Sequence, residues 1–206
     1  MNESSRFHVA LFGGSFNPPH VCHTLATLWV LQTQPIDQVW WIPTFQHAFD
    51  KDLVGFDDRL AMCRLAVEDL QRVRVDDIER SLGGESRTID TVRALQDQNP
   101  NYRFSLVIGA DILSETNRWK DWEGLMDLVR LIVVGRRGYD RHHSSARRDD
   151  TLSTDKFPDL ELPDISSTLI RDALHKCDYE AVRSWIPRSV LQHISQHRIY
   201  LGEECS

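Results

Sequence analysis

The chain has 206 residues, enough for one α/β domain with its own core and short for two. Hydrophobic residues at 41% and charged residues at 27% are ordinary for a globular protein and exclude a disordered chain. A formal net charge of -7 argues against a sequence-independent nucleic-acid binder, although a small pocket can be locally positive in an acidic protein.

Phe7–Phe12 is a short β-rich run ending at Gly13-Gly14, which predicts a buried strand entering a tight turn. A helix is expected over His20–Thr33, with Val21, Leu25 and Leu28 at helical spacing, then a strand over Gln38–Ile42 stopped by Pro43. Phe56–Leu70 predicts an amphipathic helix opened by Asp57-Asp58. Val73–Ile78 reads as a third strand, followed by a polar turn through Gly83-Gly84. Ser86–Asn99 reads as a helix, Arg103–Ile108 as a strand, Trp122–Leu128 as a short helix and Leu131–Val134 as the last strand. Such alternation implies an α/β fold: a doubly wound, Rossmann-like parallel sheet with helices on both faces.

Gly138–Pro163 breaks the pattern, being rich in Asp, Arg, Ser and His, and reads as a long polar surface excursion. Ser167–Lys176, Tyr179–Ile186 and Pro187–Ile199 then predict three closing helices. The expectation is therefore one domain over 1–206, with 164–206 as a C-terminal helical segment. Cys22, Cys63, Cys177 and Cys205 form no CxxC pair, no apolar leader precedes the first strand, and no apolar run approaches the ~20 residues of a membrane span. Together these point to a reducing cytoplasm, with no membrane partner.

Two segments carry chemistry. Gly13-Gly14-Ser15-Phe16-Asn17-Pro18-Pro19-His20-Val21-Cys22-His23 lies between a predicted strand and a predicted helix, where ligands of open α/β sheets bind. The glycines let the backbone turn sharply and approach a phosphate, and the following helix start offers N–H groups to an anion. A helix beginning near Pro18 or Pro19 would put His20 and His23 on one face, both able to donate to a phosphate. Read alone, the same residues are also a turn followed by two surface histidines.

Farther on, Asp164-Ile165-Ser166-Ser167-Thr168-Leu169-Ile170-Arg171 opens another helix. Ser166 or Ser167 is a natural N-cap, and Arg171 lies one turn in. Helix-start amides, hydroxyls and a guanidinium suit a β,γ-phosphate clamp, although capping alone also explains the hydroxyls.

GGSFNPPHxxH resembles the signature of the nicotinate- and nicotinamide-mononucleotide adenylyltransferases of the (H/T)xGH nucleotidyltransferase superfamily, and ISSTLIR resembles that family's ISxTxIR. The resemblance implies transfer of AMP from ATP to nicotinate or nicotinamide mononucleotide in NAD biosynthesis. It casts His20 and His23 as catalytic, and Gly13, Gly14, Ser15, Phe16, Asp111, Ser166, Ser167, Thr168 and Arg171 as ATP-binding. For the mononucleotide it implies Thr88, Trp119, His47, Lys51 and Arg136; Mg²⁺ would be carried mainly by ATP phosphates and water, with no protein metal ligand.

Three departures mark this chain. Cys22 stands where the family has glycine, Arg87 replaces an aromatic before Thr88, and Phe45–Lys51 replaces the PPHK run of the nicotinate-specific bacterial enzymes. The altered loop leaves the choice of nicotinate or nicotinamide open, and the oligomeric state is open too. Alternatives are a nucleotidyltransferase with another phosphorylated acceptor, or a nucleotide-binding regulator without turnover. A metal site built from His20, His23, His47 and His142-His143 is disfavoured by their wide separation.

Overall fold

The computed structural model describes residues 6–46, 53–135, 162–202, 204 and 205, apart from the side chains of Asp111, Ser114 and Asn117. Five strands form an all-parallel sheet in the order β3-β2-β1-β4-β5. They are β1 (Phe7–Gly14), β2 (Gln38–Pro43), β3 (Val73–Val75), β4 (Tyr102–Gly109) and β5 (Arg130–Val134). The chain winds outward from β1 through β2 to β3, then crosses to β4 on the other side of β1. Order therefore reverses between β1 and β4, and their carboxyl ends open the crevice where such sheets bind ligands.

Alternation along the strands divides the core. Val9, Leu11, Trp40, Ile42 and Leu106 face a layer made by α3 (Ile78–Leu82), α4 (Thr88–Gln98) and α5 (Trp122–Leu128). Ala10, Val39, Trp41 and Val107 face α1 (Val21–Thr33), α2 (Phe56–Val67), α6 (Ser167–His175), α7 (Tyr179–Val182) and α8 (Arg188–His197). A strand buried on both faces reads as a continuous apolar run, which is how Phe7–Phe12 reads.

Four local differences from the sequence reading have physical causes. The third strand stops at Val75, because Asp76 Oδ1 accepts the Ile78 N–H at 2.9 Å and turns the chain into α3, a helix hidden inside the expected polar turn. Gly83, at φ 66, ends that helix. A 3₁₀ helix over Ala110–Arg118, unannounced by periodicity, follows β4. Helix α7 closes at Val182, short of Ile186, the residue before Pro187.

Two of the four cysteines are paired in the fold. Cys177 and Cys205 form a disulfide across a separation of 28 residues, with Cα atoms 5.4 Å apart. No sequence spacing announces it, because the pairing arises when the C-terminal tail folds back over the end of α6. Among the described residues, no helix is long and apolar enough to cross a membrane.

Candidate active site

A cleft of about 700 Å³ lies over the carboxyl ends of β1 and β4. Gly13 and Gly14 end β1 at its floor. A Cβ built on Gly13 would meet nothing within 4 Å and would project into open space. On Gly14 it would lie 3.3 Å from the Phe16 ring. Phe16 takes φ 45, a left-handed conformation uncommon outside glycine, and its ring is 1% exposed and stacked on Trp41 at 4.7 Å. Phe16 is thus an anchor for the turn, with its ring in the core rather than spread along the cleft.

The histidine pair is placed by a helix start, one residue after the expected His20 and two or three after Pro18 or Pro19. His20 is extended (φ -146, ψ 173) and serves as the N-cap of α1, which begins at Val21. Two prolines before it, lacking N–H groups and fixed in φ, suit a chain that enters the helix only afterwards. The His20 main-chain N–H donates to His23 Nδ1 at 3.1 Å, and the two ring centroids are 3.9 Å apart. Both residues line the cleft.

The second segment is stitched onto the first. Ser166 caps α6 by accepting from the Leu169 N–H at 3.3 Å. Ser167 Oγ donates to the Pro18 carbonyl at 2.9 Å, and Arg171 Nη1 donates to the Asn17 carbonyl at 2.9 Å. Arg171 Nη2 donates to Thr168 Oγ1 at 3.3 Å. These partners of Arg171 are uncharged oxygens, so its positive charge remains available to an anion in the cleft, which Ser166, Ser167, Thr168 and Arg171 all line.

Thr88, the first residue of α4, and Trp119, which follows the 3₁₀ helix, also line the cleft, from elements packed on the other face of the sheet. Trp119 packs edge-on against Trp122 at 5.6 Å. Among the described residues, Arg87, Arg118, Lys120 and Arg171 line the cleft with Glu79 and Glu115; Arg87, Arg118 and Lys120 pair with Glu85, Glu115 and Asp90, and Arg171 is the lining cation bonded to uncharged oxygens. His47, Lys51 and Arg136 lie outside the described residues, as does the Asp111 side chain; the main chain of Asp111 falls in the 3₁₀ helix after β4.

Sequence reasoning missed two buried charged residues beside the cleft. Arg59 is 1% exposed and donates to three carbonyls: Ser15 through Nη1 at 2.9 Å, Val54 through Nε at 2.9 Å and Phe45 through Nη2 at 3.3 Å. Glu79 accepts from the Phe45 N–H at 3.0 Å, from Thr91 Oγ1 at 3.0 Å and from Ser86 Oγ. Burial pushes the Glu79 carboxyl above its usual range, against the pull of these donors. Burial likewise lowers the Arg59 guanidinium from its ordinary value. Neither residue sits in a signature run; the available signal was a charge at a core position of each helix, Arg59 in α2 and Glu79 in α3.

Residues 11–173 match the family model described as cytidylyltransferase-like. Among curated proteins, the chain is 44% identical over 197 residues to a probable nicotinate-nucleotide adenylyltransferase of Anaeromyxobacter dehalogenans (strain 2CP-C), covering 94% of this chain and 97% of the relative. It is 38% identical over 193 residues to one of Myxococcus xanthus (strain DK1622), covering 93% and 94%. A solved structure, the Plasmodium falciparum nicotinic acid mononucleotide adenylyltransferase complexed with NaAD, aligns with a TM-score of 0.74 at 21% identity over 94% of this chain and 97% of that one, a likeness of fold. Full-length identity above the level at which families diverge joins the two stitched signatures, and the chain belongs to the nicotinate-nucleotide adenylyltransferase family of cytidylyltransferase-like proteins.

Proposed function

We propose that this chain transfers the AMP moiety of ATP to nicotinate mononucleotide, releasing pyrophosphate, as a step in NAD biosynthesis. One observation carries the reading: the ISSTLIR helix start is hydrogen-bonded directly to the Asn17-Pro18 turn, so a group suited to the β,γ-phosphates stands beside the histidine pair suited to the α-phosphate. The names of the relatives support nicotinate over nicotinamide as the base.

An oxygen of the acceptor phosphate attacks the α-phosphorus of ATP in line. The new P–O bond forms as the bond to the β-phosphate oxygen breaks, and pyrophosphate carries away the electron pair. Such a transfer asks the protein for positioning and charge neutralisation rather than covalent chemistry. His20 and His23 donate to the α-phosphate as charge builds there. Ser166, Ser167, Thr168 and Arg171 hold the leaving phosphates, while Gly13, Gly14 and Ser15 give the triphosphate close access to main chain. Asp111 holds the adenosine; Thr88 and Trp119 receive the pyridine, and His47, Lys51 and Arg136 serve the mononucleotide phosphate.

Mg²⁺ fits as an ion held by substrate. Among the described residues no three His, Cys, Asp or Glu side chains are grouped to bind a metal, and the cleft contributes two carboxylates, Glu79 and Glu115. ATP oxygens and water would be its main ligands, and it would neutralise phosphate charge. We place the enzyme in the cytoplasm.

The deciding assay is pyrophosphate release by the purified chain with ATP and either nicotinate or nicotinamide mononucleotide. Faster turnover with nicotinate mononucleotide is expected. Release with neither, alongside tight ATP binding, would favour a regulator instead.

A further inference from the structure

Asn17 has both of its oxygens engaged. Its main-chain carbonyl receives Arg171 Nη1 at 2.9 Å, and its Oδ1 receives the Tyr200 hydroxyl at 2.6 Å and the Val54 N–H at 3.3 Å. Asn17 is 3% exposed, between the Ser15-Phe16 turn and the His20 cap. Tyr200 comes from the C-terminal tail, far away in sequence and outside both signature runs.

The tail is built to deliver that hydroxyl. Tyr200 takes φ 63, a conformation unfavourable for a bulky side chain and retained where the surroundings over-determine it. Arg198, at φ 53, starts the turn and donates to the Cys205 carbonyl at 2.6 Å. A Cβ on Gly202 would come within 2.3 Å of the His175 carbonyl oxygen, so the tail lies directly on the end of α6. The Cys177–Cys205 disulfide closes it onto the same helix whose other end carries Ser166–Arg171. Burial pushes the Tyr200 hydroxyl well above its ordinary pKa, so it stays an O–H donor.

We propose that Tyr200 is a positioning residue for adenylyl transfer: its hydroxyl, donated to Asn17 Oδ1, fixes the turn whose carbonyl orients Arg171 and whose far end places His20. The proposal rests on the ATP-transfer reading above. It assigns the tail to the Ser166–Arg171 side, since Tyr200 packs with Ile170 in the core on one face of the sheet and Trp119 with α4 in the core on the other, so its loss acts on ATP and spares the mononucleotide.

Tyr200→Phe removes the hydroxyl and keeps the ring. We expect kcat/KM for ATP and affinity for a non-hydrolysable ATP analogue to fall about tenfold, the scale of coupling through a shared network. The KM for nicotinate mononucleotide stays within about twofold of wild type and the melting temperature within a few degrees, since one hydrogen bond contributes modestly to folding. In a double-mutant cycle, Tyr200→Phe added to Asn17→Ala has no further effect on ATP; if Asn17→Ala does not fold, Arg171→Lys takes its place. Unchanged ATP affinity in Tyr200→Phe, equal losses for both substrates, or additive effects in the cycle would each overturn the proposal. Absence of turnover in the wild type would instead defeat the functional reading, while calorimetry with the ATP analogue still decides the role of Tyr200.

Discussion

The main-chain N–H of His20 donates to Nδ1 of His23, and this bond selects the tautomer of the second histidine. A nitrogen that accepts carries no proton, so the neutral ring of His23 bears its proton on Nε2, as the proposed donation to phosphate requires. The same contact fixes the start of α1, so one side chain serves both the fold and the site.

Those two roles separate by substitution. In His23→Asn the side-chain oxygen sits near the place of Nδ1 and still receives the His20 N–H, while the Nε2 donor is gone. His23→Asn should melt close to wild type yet lose turnover by about 10²–10³, the usual cost of one transition-state donor. His20→Ala should lose a similar factor. Steady-state kinetics beside thermal melting checks both; near wild-type turnover in either would remove that residue from the chemistry.

Arg59 supports a prediction of the opposite kind, in which stability and binding fall together. Its three carbonyl partners belong to the Ser15 turn, the Phe45 turn and the Val54 lead into α2, so one guanidinium holds three segments around the cleft. A lysine ammonium at the same place cannot span the three acceptors. Arg59→Lys should cost about 2–3 kcal/mol by urea unfolding, because buried carbonyls lose charged donors, and should raise the KM of both substrates. A variant with wild-type stability would mean that the three carbonyls find other partners.

The parts of this molecule legible in its sequence are those encoded locally. Gly13-Gly14 after an apolar run gave strand and turn together, and Ser166 inside ISSTLIR gave a true helix cap. What escaped was encoded by distance. Arg59, Glu79, Tyr200 and the Cys177–Cys205 pair acquire meaning only when loops far apart in sequence meet, and no periodicity reports such meetings. Helix α3 escaped for another reason: five residues between Asp77 and Gly83 are too few to show a period of 3.6.

Acid sensitivity should originate at the amino end of β1, opposite the cleft. His8 is 4% exposed; burial first, and the Arg103 guanidinium second, lower its pKa from 6.5 to about 4. Arg103 donates to Nδ1 at 2.7 Å, which leaves Nε2–H to donate to Ser105 Oγ at 2.8 Å and makes the nearby Pro35 carbonyl a contact rather than a partner of that nitrogen. Between pH 6.5 and 4 the unfolded chain binds a proton that the folded chain refuses, so stability falls as pH drops through this window and levels off below it. The loss is about 3 kcal/mol at most. In His8→Gln, whose amide can still donate to Ser105, urea unfolding should show that much less pH dependence; an unchanged slope would assign the acid sensitivity elsewhere.

Cys22 stands where the family has glycine, and its surroundings decide what the difference does. It is 3% exposed in the core cluster shared with Ala26 and Ile170, and its Sγ lies 3.5 Å from the Pro163 carbonyl, on the segment leading into ISSTLIR. The side chain thus packs the two signature segments together at the wall of the cleft. Cys22→Gly should cost about 1–2 kcal/mol, from lost burial and from glycine in a helical turn. Its KM for ATP should rise rather than fall, because the contact that seats the α6 lead-in is weakened. A lower KM with unchanged stability would show that the thiol obstructs the nucleotide, and that glycine is the better residue for ATP in this chain too.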